Sequence, residues 1–214
     1  MTPPELPDRP GPPWEEPRRP PGLVPGVGVP ARGPAALPDA EAGLLARRTL
    51  FLRGTLDDEA ASELTAGLML LDGVAADPVT LLINSGGGPL PAVFALLDTI
   101  RLMRAPVATV CVGQAAGTAA AVLALGTGGR EAAPSATISL RVEARTELAG
   151  GALRVQRQAE HLASLRDRLA DLLASASGLP LEVVRDELDS GRPLSAEEAL
   201  GSRLIDRVRA GRRR

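Results

Sequence analysis

The chain has no lysine and no tyrosine, one histidine, one cysteine, and only three aromatic side chains in 214 residues: Trp14, Phe51 and Phe94. Each scarcity removes a chemistry. Without lysine a Ser–Lys dyad cannot be built, and His161 is the sole imidazole that could act as a general base. With Cys111 alone no intrachain disulfide can form, which favours a cytosolic, cytoplasmic setting. So few aromatics oblige the core to pack from Leu, Val, Ile and Ala, and a hydrophobic content of 44% is ample for that. All basic residues except His161 are arginine. Beside abundant Ala, Gly and Pro, this points to coding bias rather than phosphate recognition. A formal net charge of −2 gives no support for a nucleic-acid partner. No basic segment followed by an apolar one opens the chain, so no secretory signal is expected. The longest apolar run, around Ala115–Leu125, is too short to span a bilayer, so no membrane association is expected either.

What is present falls into three parts. Residues 1–40 hold thirteen of the twenty prolines and an elastin-like stretch from Val24 to Pro30, a composition that sustains neither helix nor ladder. They are expected to form a disordered tail, with Trp14 solvated in it. Residues 41–208 are expected to fold, and residues 209–214 to form a basic tail within a solvated fringe starting at Arg207. Thr49–Leu52 reads as a strand ending at Gly54. Asp57 and Asp58 cap a helix with Leu64, Leu68 and Leu71 along one face. Val79–Ile83 is a continuous apolar run, as expected of a strand covered on both faces. The next helix carries Val93, Leu96, Leu97, Ile100 and Met103, and Pro106 returns the chain to a strand at Val107. Thr137–Val142 is a further strand. A long helix over about residues 152–177, with Leu162, Leu165, Leu169 and Leu172 on one stripe, closes at Gly178. Pro180 opens a short helix through Leu188, and Ser195-Ala196-Glu197-Glu198 is a capping box for another. Strand and helix in alternation define an α/β fold.

The stretch that organises the whole is Cys111 to Leu123. A β-branched strand, Val107–Val112, meets a turn of small residues and then an alanine-rich helix. A strand feeding a helix through such a turn is where α/β hydrolases expose a nucleophile. The residue on this turn is Gly117, which has no side chain to expose.

Several ordered motifs resemble the ClpP family, the proteolytic subunits of Clp proteases. Ile83-Asn84-Ser85-Gly86-Gly87-Gly88 is similar to the family's Ile-Asn-Ser-Pro-Gly-Gly turn, and Asp98-Thr99-Ile100 to the helix after it. Gly113-Gln114-Ala115-Ala116 matches the family's Gly-Gln-Ala-Ala before the catalytic serine. Leu194-Ser195-Ala196, Glu198-Ala199, Gly201, Leu204, Ile205 and Asp206 match its C-terminal signature. The resemblance runs from about Leu44 to about Val208. It implies a spiral of repeated β-β-α units with a protruding handle helix, and ClpP-type partners, the same chain or an active paralogue, in heptameric rings. It also implies an AAA+ unfoldase feeding the chamber, and no cofactor or metal.

Carried over residue by residue, the family's serine falls on Gly117, its histidine on Leu140 and its aspartate on Gly191. Asp189, two residues upstream, is the one candidate for a displaced acid. The backbone oxyanion hole maps to Gly88 and Thr118, and its glycines have the alternative role of simply keeping a tight turn. Thr118 brings a hydroxyl without a base, and Cys111 reads as a small core side chain. The docking strand carries Thr80 and Leu82 where the family uses aromatics, so an unfoldase would have to engage neighbouring subunits.

Three functions follow. The first is a non-catalytic subunit that scaffolds or regulates an active ring. The second is an active serine-type, ATP-dependent endopeptidase with displaced residues. The third is a crotonase-like acyl-CoA enzyme that uses the two-amide oxyanion hole and a carboxylate base; the Clp-type C-terminal motif and the want of a basic cluster near Gly88 speak against it.

Overall fold

The computed structural model describes residues 38–142 and 151–210, except for the side chains of residues 38–40 and 152. The expected N-terminal tail as far as residue 37, and the last four residues of the basic tail, lie outside the described residues. The first element, α1 (Pro38–Ala46), includes the last residues assigned to that tail. There follow β1 (Thr49–Thr55), α2 (Asp58–Val74), β2 (Val79–Gly87), α3 (Leu90–Leu102), β3 (Val107–Ala116) and α4 (Thr118–Ala124). Then come β4 (Arg130–Ala132), β5 (Thr137–Ser139), α5 (Ala152–Ser177), α6 (Leu181–Ser190), β6 (Leu194–Ser195), α7 (Ala196–Gly201) and β7 (Arg207–Val208). The fold is α/β, as expected.

A parallel sheet runs in the order β1-β2-β3-β4-β7. β5 also pairs with β3 in parallel, and β6 joins β5 antiparallel. The two central strands explain the apolar run at Val79–Ile83. Val79, Leu81 and Ile83 on β2, and Val107, Val110 and Cys111 on β3, are essentially inaccessible because helices cover the sheet. Leu64, Leu68 and Leu71 of α2 and Val93, Leu96, Leu97 and Ile100 of α3 supply one layer of that cover. The Asp57 carboxylate accepts from Ala60 N at 2.9 Å, so the N-cap read from the sequence sits where α2 begins. At the other end of α2, Arg48 adopts φ 55° and donates to the carbonyls of Leu71, Ala75 and Asp77 at 3.1, 2.9 and 2.7 Å. Leu71 O also accepts from Ala75 N at 3.2 Å, and Ala75 and Asp77 lie past the last turn, so one guanidinium ties together the exit of α2.

β3 is longer than its apolar run, continuing through the small residues to Ala116. Its first half holds β4 through Thr109–Cys111, and its second half holds β5 through Gln114–Ala116. The change of neighbour occurs at Gly113, where φ is 96° and the register against β2 slips between Ile83 and Ser85. A Cβ at Gly113 would stand 2.8 Å from Asn84 Oδ1, and that same oxygen accepts from Gln114 N at 3.3 Å. The Asn84 and Gly113-Gln114 motifs are thus two sides of one bulge, which turns the ends of β2 and β3 toward the cleft.

Some expectations are corrected. The strand expected over Thr137–Val142 stops at Ser139, because β5 has partners only along Gln114–Ala116 and Leu194–Ser195. Beyond it, Val142 N donates to Leu188 O at 3.0 Å, drawing the chain to α6 instead. Arg207 and Val208, read as a solvated fringe, form β7 on β4, with Arg207 and Arg209 ion-paired to Glu131. The first half of α5, Leu153 to Ser164, buries none of its side chains, whereas Leu165, Leu169, Ala170 and Leu173 are core. The burial stripe therefore leans one residue away from Leu162 and Leu172, which are half-buried.

Candidate functional site

Parallel strands of an α/β sheet present their C-terminal ends to one side, where ligand clefts form. Here the ends of β2, β3 and β5 meet the loop after α6 and the middle of α5 around a cavity of about 790 Å³. Gly86–Pro89, Gly117, Thr118, Arg141 and Pro193 form its floor and sides, and Leu162 and Arg166 face it from α5.

Gly117 ends β3 and caps α4 with φ 55° and ψ −125°. That positive-φ conformation, strained for any residue but glycine, is the one a strand-to-helix turn needs to push a side chain out over the sheet. Its N–H donates to Ser139 O at 2.8 Å. A Cβ built there would meet only Arg141 O at 3.3 Å and Gly86 O at 3.7 Å. The turn is formed, and it presents nothing.

The other two mapped positions are beside it in space. Leu140, next to the Ser139 that receives the Gly117 amide, is buried in the core, and its side chain offers no proton chemistry. Ser139 Oγ donates to Gly191 O at 3.4 Å, so Gly191 adjoins the β5 end. Its backbone is closed, however. Gly191 N–H caps α6 on Glu187 O at 2.9 Å, and a Cβ at 191 would lie 2.2 Å from that same oxygen. The Glu187 carboxylate fills the neighbouring space, with Oε2 at 2.6 Å from that Cβ position, buried and without a hydrogen-bond partner among the described residues.

Asp189 is not beside an imidazole. It is mostly exposed and ion-paired with Arg166. His161 lies instead on the first half of α5, lining a separate depression with Leu153, Arg154, Arg157 and Gln158. Cys111 is buried in β3 opposite Ile83 and Ala132, and desolvation pushes its thiol up to about 11. The charged side chains that line the cleft are arginines, Arg141 and Arg166, with no carboxylate, imidazole or thiol among the described residues there. Nor do the described residues hold a cluster of three or more His, Cys, Asp or Glu able to bind a metal ion.

The mapped oxyanion donors have an arrangement that sequence reasoning did not foresee. Gly88 N–H donates to Thr118 Oγ1 at 2.8 Å, and the same hydroxyl donates back to Gly88 O at 3.1 Å. Thr118 is 1% exposed. Ser85, in the same motif, is tied by Oγ donating to Gly54 O at 2.6 Å and accepting from Gly87 N at 3.0 Å. Of the residues missed, Glu187 had a signal: it stands one helical turn before the glycine that ends α6. Arg166 had none beyond its place on a charged face.

An α/β sheet with a nucleophile-type turn above its strand ends, facing a cleft, defines the class: an α/β scaffold of hydrolase type. Residues 35–212 match the family model described as Clp protease. Over 167 residues the chain is 36% identical to the ATP-dependent Clp protease proteolytic subunit 2 of Corynebacterium jeikeium, spanning 77% of this chain and 80% of that one. It is 34% identical over 172 residues to the proteolytic subunit 2 of Streptomyces coelicolor, spanning 79% of each. It is 38% identical over 178 residues to another S. coelicolor protein, described as Clp protease proteolytic subunit-like, spanning 82% of this chain and 84% of that one. The chain belongs to the Clp protease family, the ClpP proteolytic subunits.

Proposed function

We propose that this chain is a non-catalytic ClpP subunit, which joins catalytic ClpP-type subunits in a heptameric ring and shapes or regulates it without cleaving peptides. One observation carries the reading: the turn at Gly117 keeps its backbone geometry while Gly117, Leu140 and Gly191 stand where a nucleophile, a base and an acid are needed. The closed backbone at Gly191 adds support, since an aspartate there needs more than a change of side chain. Exposed Met69, Leu70 and Val74 on α2, with Leu102 at the end of α3, supply apolar surface of the kind that subunit contacts cover. In this reading the complex is cytoplasmic, and an AAA+ unfoldase engages the ring through the partner subunits. Residues 152–177 are the subunit's handle.

The reading is tested by assaying the purified chain with a fluorogenic peptide and by native mass spectrometry, alone and mixed with a ClpP paralogue that has an intact Ser-His-Asp set. Expected are no turnover by the chain alone and rings containing both subunits. Hydrolysis by the chain itself, or a fluorophosphonate adduct on any of its residues, would establish the displaced-residue enzyme instead. That alternative rests on Asp189 and His161, one held by Arg166 and the other outside the cleft. The crotonase-like alternative needs two amides facing a thioester oxygen, and the Gly88 amide is already engaged; thermal stabilisation by acyl-CoA would revive it.

A further inference from the structure

The contact between Thr118 and Gly88 spans thirty positions of sequence, and it joins the two turns that line the cleft. Its chemistry is specific. An oxyanion hole works by aiming backbone N–H groups at the point where a carbonyl oxygen gains negative charge. Here the hydroxyl oxygen of Thr118 receives one of those N–H groups at 2.8 Å. It donates its own proton to Gly88 O at 3.1 Å, so the hydroxyl proton and one lone pair are both committed to a single residue. Thr118 is almost completely buried, while its partner Gly88 is half-buried at the cleft.

From this we infer that Thr118 is a built-in ligand of the cleft. Its hydroxyl takes the position of the oxyanion, holds the β2–α3 turn in its assembled shape, and closes the cleft to tetrahedral carbonyl adducts, whose oxygen needs that amide. The cleft then accepts a peptide only in its ground state. This deepens the non-catalytic reading and rests on it, because it takes the cleft for the remnant of a peptide site. It also separates this subunit from a catalytic neighbour: carbonyl-directed peptide inhibitors would be stabilised by the neighbour and not here.

The test installs a thiol at the turn. In full-length Gly117→Cys, a leucine-terminated tripeptide aldehyde forms a hemithioacetal. A C–S bond forms, the carbonyl π bond breaks, and the thiol proton passes to the former carbonyl oxygen. That oxygen then requires the Gly88 amide. Adding Thr118→Ala should tighten aldehyde binding about tenfold or more, below the roughly 100- to 1,000-fold that one oxyanion donor is worth to a charged transition state. Adding Thr118→Ser instead should leave it weak, and the corresponding tripeptide alcohol should bind all three proteins alike. Equal aldehyde binding in the three, including none, would overturn the inference, as would a Thr118→Ser background that behaves like Thr118→Ala. Should the variants not fold, hydrogen exchange of the Gly88 amide in the unaltered chain decides: slow exchange is expected, and exchange at the rate of a solvated turn amide refutes it. Turnover of a fluorogenic peptide by the unaltered chain is a separate readout, which would sink the non-catalytic reading whatever Thr118 does.

Discussion

Glycine tolerates φ 55° and ψ −125° without steric strain, whereas an L-residue held in such a region costs about 1–3 kcal/mol. A nucleophile placed on such a turn carries that cost; Gly117 does not. Gly117→Ser is therefore expected to lower the unfolding free energy by about 1–3 kcal/mol in denaturant titrations. It should leave the fluorogenic peptide intact, because no base lines the cleft among the described residues. The buried thiol of Cys111 gives a second check. With its proton held until about 11, Cys111 should resist iodoacetamide at pH 8 in the folded protein and react promptly once unfolded. Rapid alkylation of the native chain would mean that β3 opens or that the thiol is not where the fold puts it. The identities of Gly117 and Leu140 were legible from the motifs that flank them. What Thr118 does was not, since its partner Gly88 belongs to another turn.

Among the elements, α6 and β7 were read least completely. The sequence marks α6 by Pro180 and ends it near Leu188, yet the helix runs to Ser190 and its cap brings Glu187 O against Gly191. Gly191→Asp, which restores the family residue, should consequently destabilise the chain by about 2–3 kcal/mol through overpacking against that carbonyl. Thermal or denaturant unfolding of the variant measures this. An unchanged midpoint would show that the loop relaxes freely. The β4–β7 edge carries charge that can be titrated. Hydrogen bonds from the Arg130 side chain hold Asp206 below its ordinary 3.8. Desolvation raises Glu131, but the hydrogen bonds and charges of Arg207 and Arg209 outweigh it and leave Glu131 below its ordinary 4.5. Both folded-state values are depressed, so the unfolded chain binds more protons through this range. The stability these groups contribute is complete above about pH 4.5 and is lost as the pH falls through their folded values. A pH series of denaturant midpoints should show this acid limb, and Glu131→Gln should flatten it. By contrast the capping box at Ser195 and Glu198 was wholly legible, being a pattern within four consecutive residues.

At the scale of the whole molecule, a subunit that fills a place in a ring without hydrolysing should dilute the ring's activity. In mixtures with a catalytic paralogue, peptidase activity per ring is expected to fall as this chain's share rises, while the ring mass in native spectra stays constant. Disassembly as the share rises would count against an incorporated subunit. The alternation of apolar strand and amphipathic helix, the family motifs and the identities of Gly117, Leu140 and Gly191 were all determined by the sequence alone, because periodicity and residue identity belong to neighbours along the chain. The tertiary structure alone decided that Thr118 takes the Gly88 amide, that Arg166 holds Asp189, and that backbone closes the position at Gly191. The first two join separate elements and the third depends on the angle at which α6 ends. All three require groups to meet within a few tenths of an ångström, a precision that only the packed core imposes.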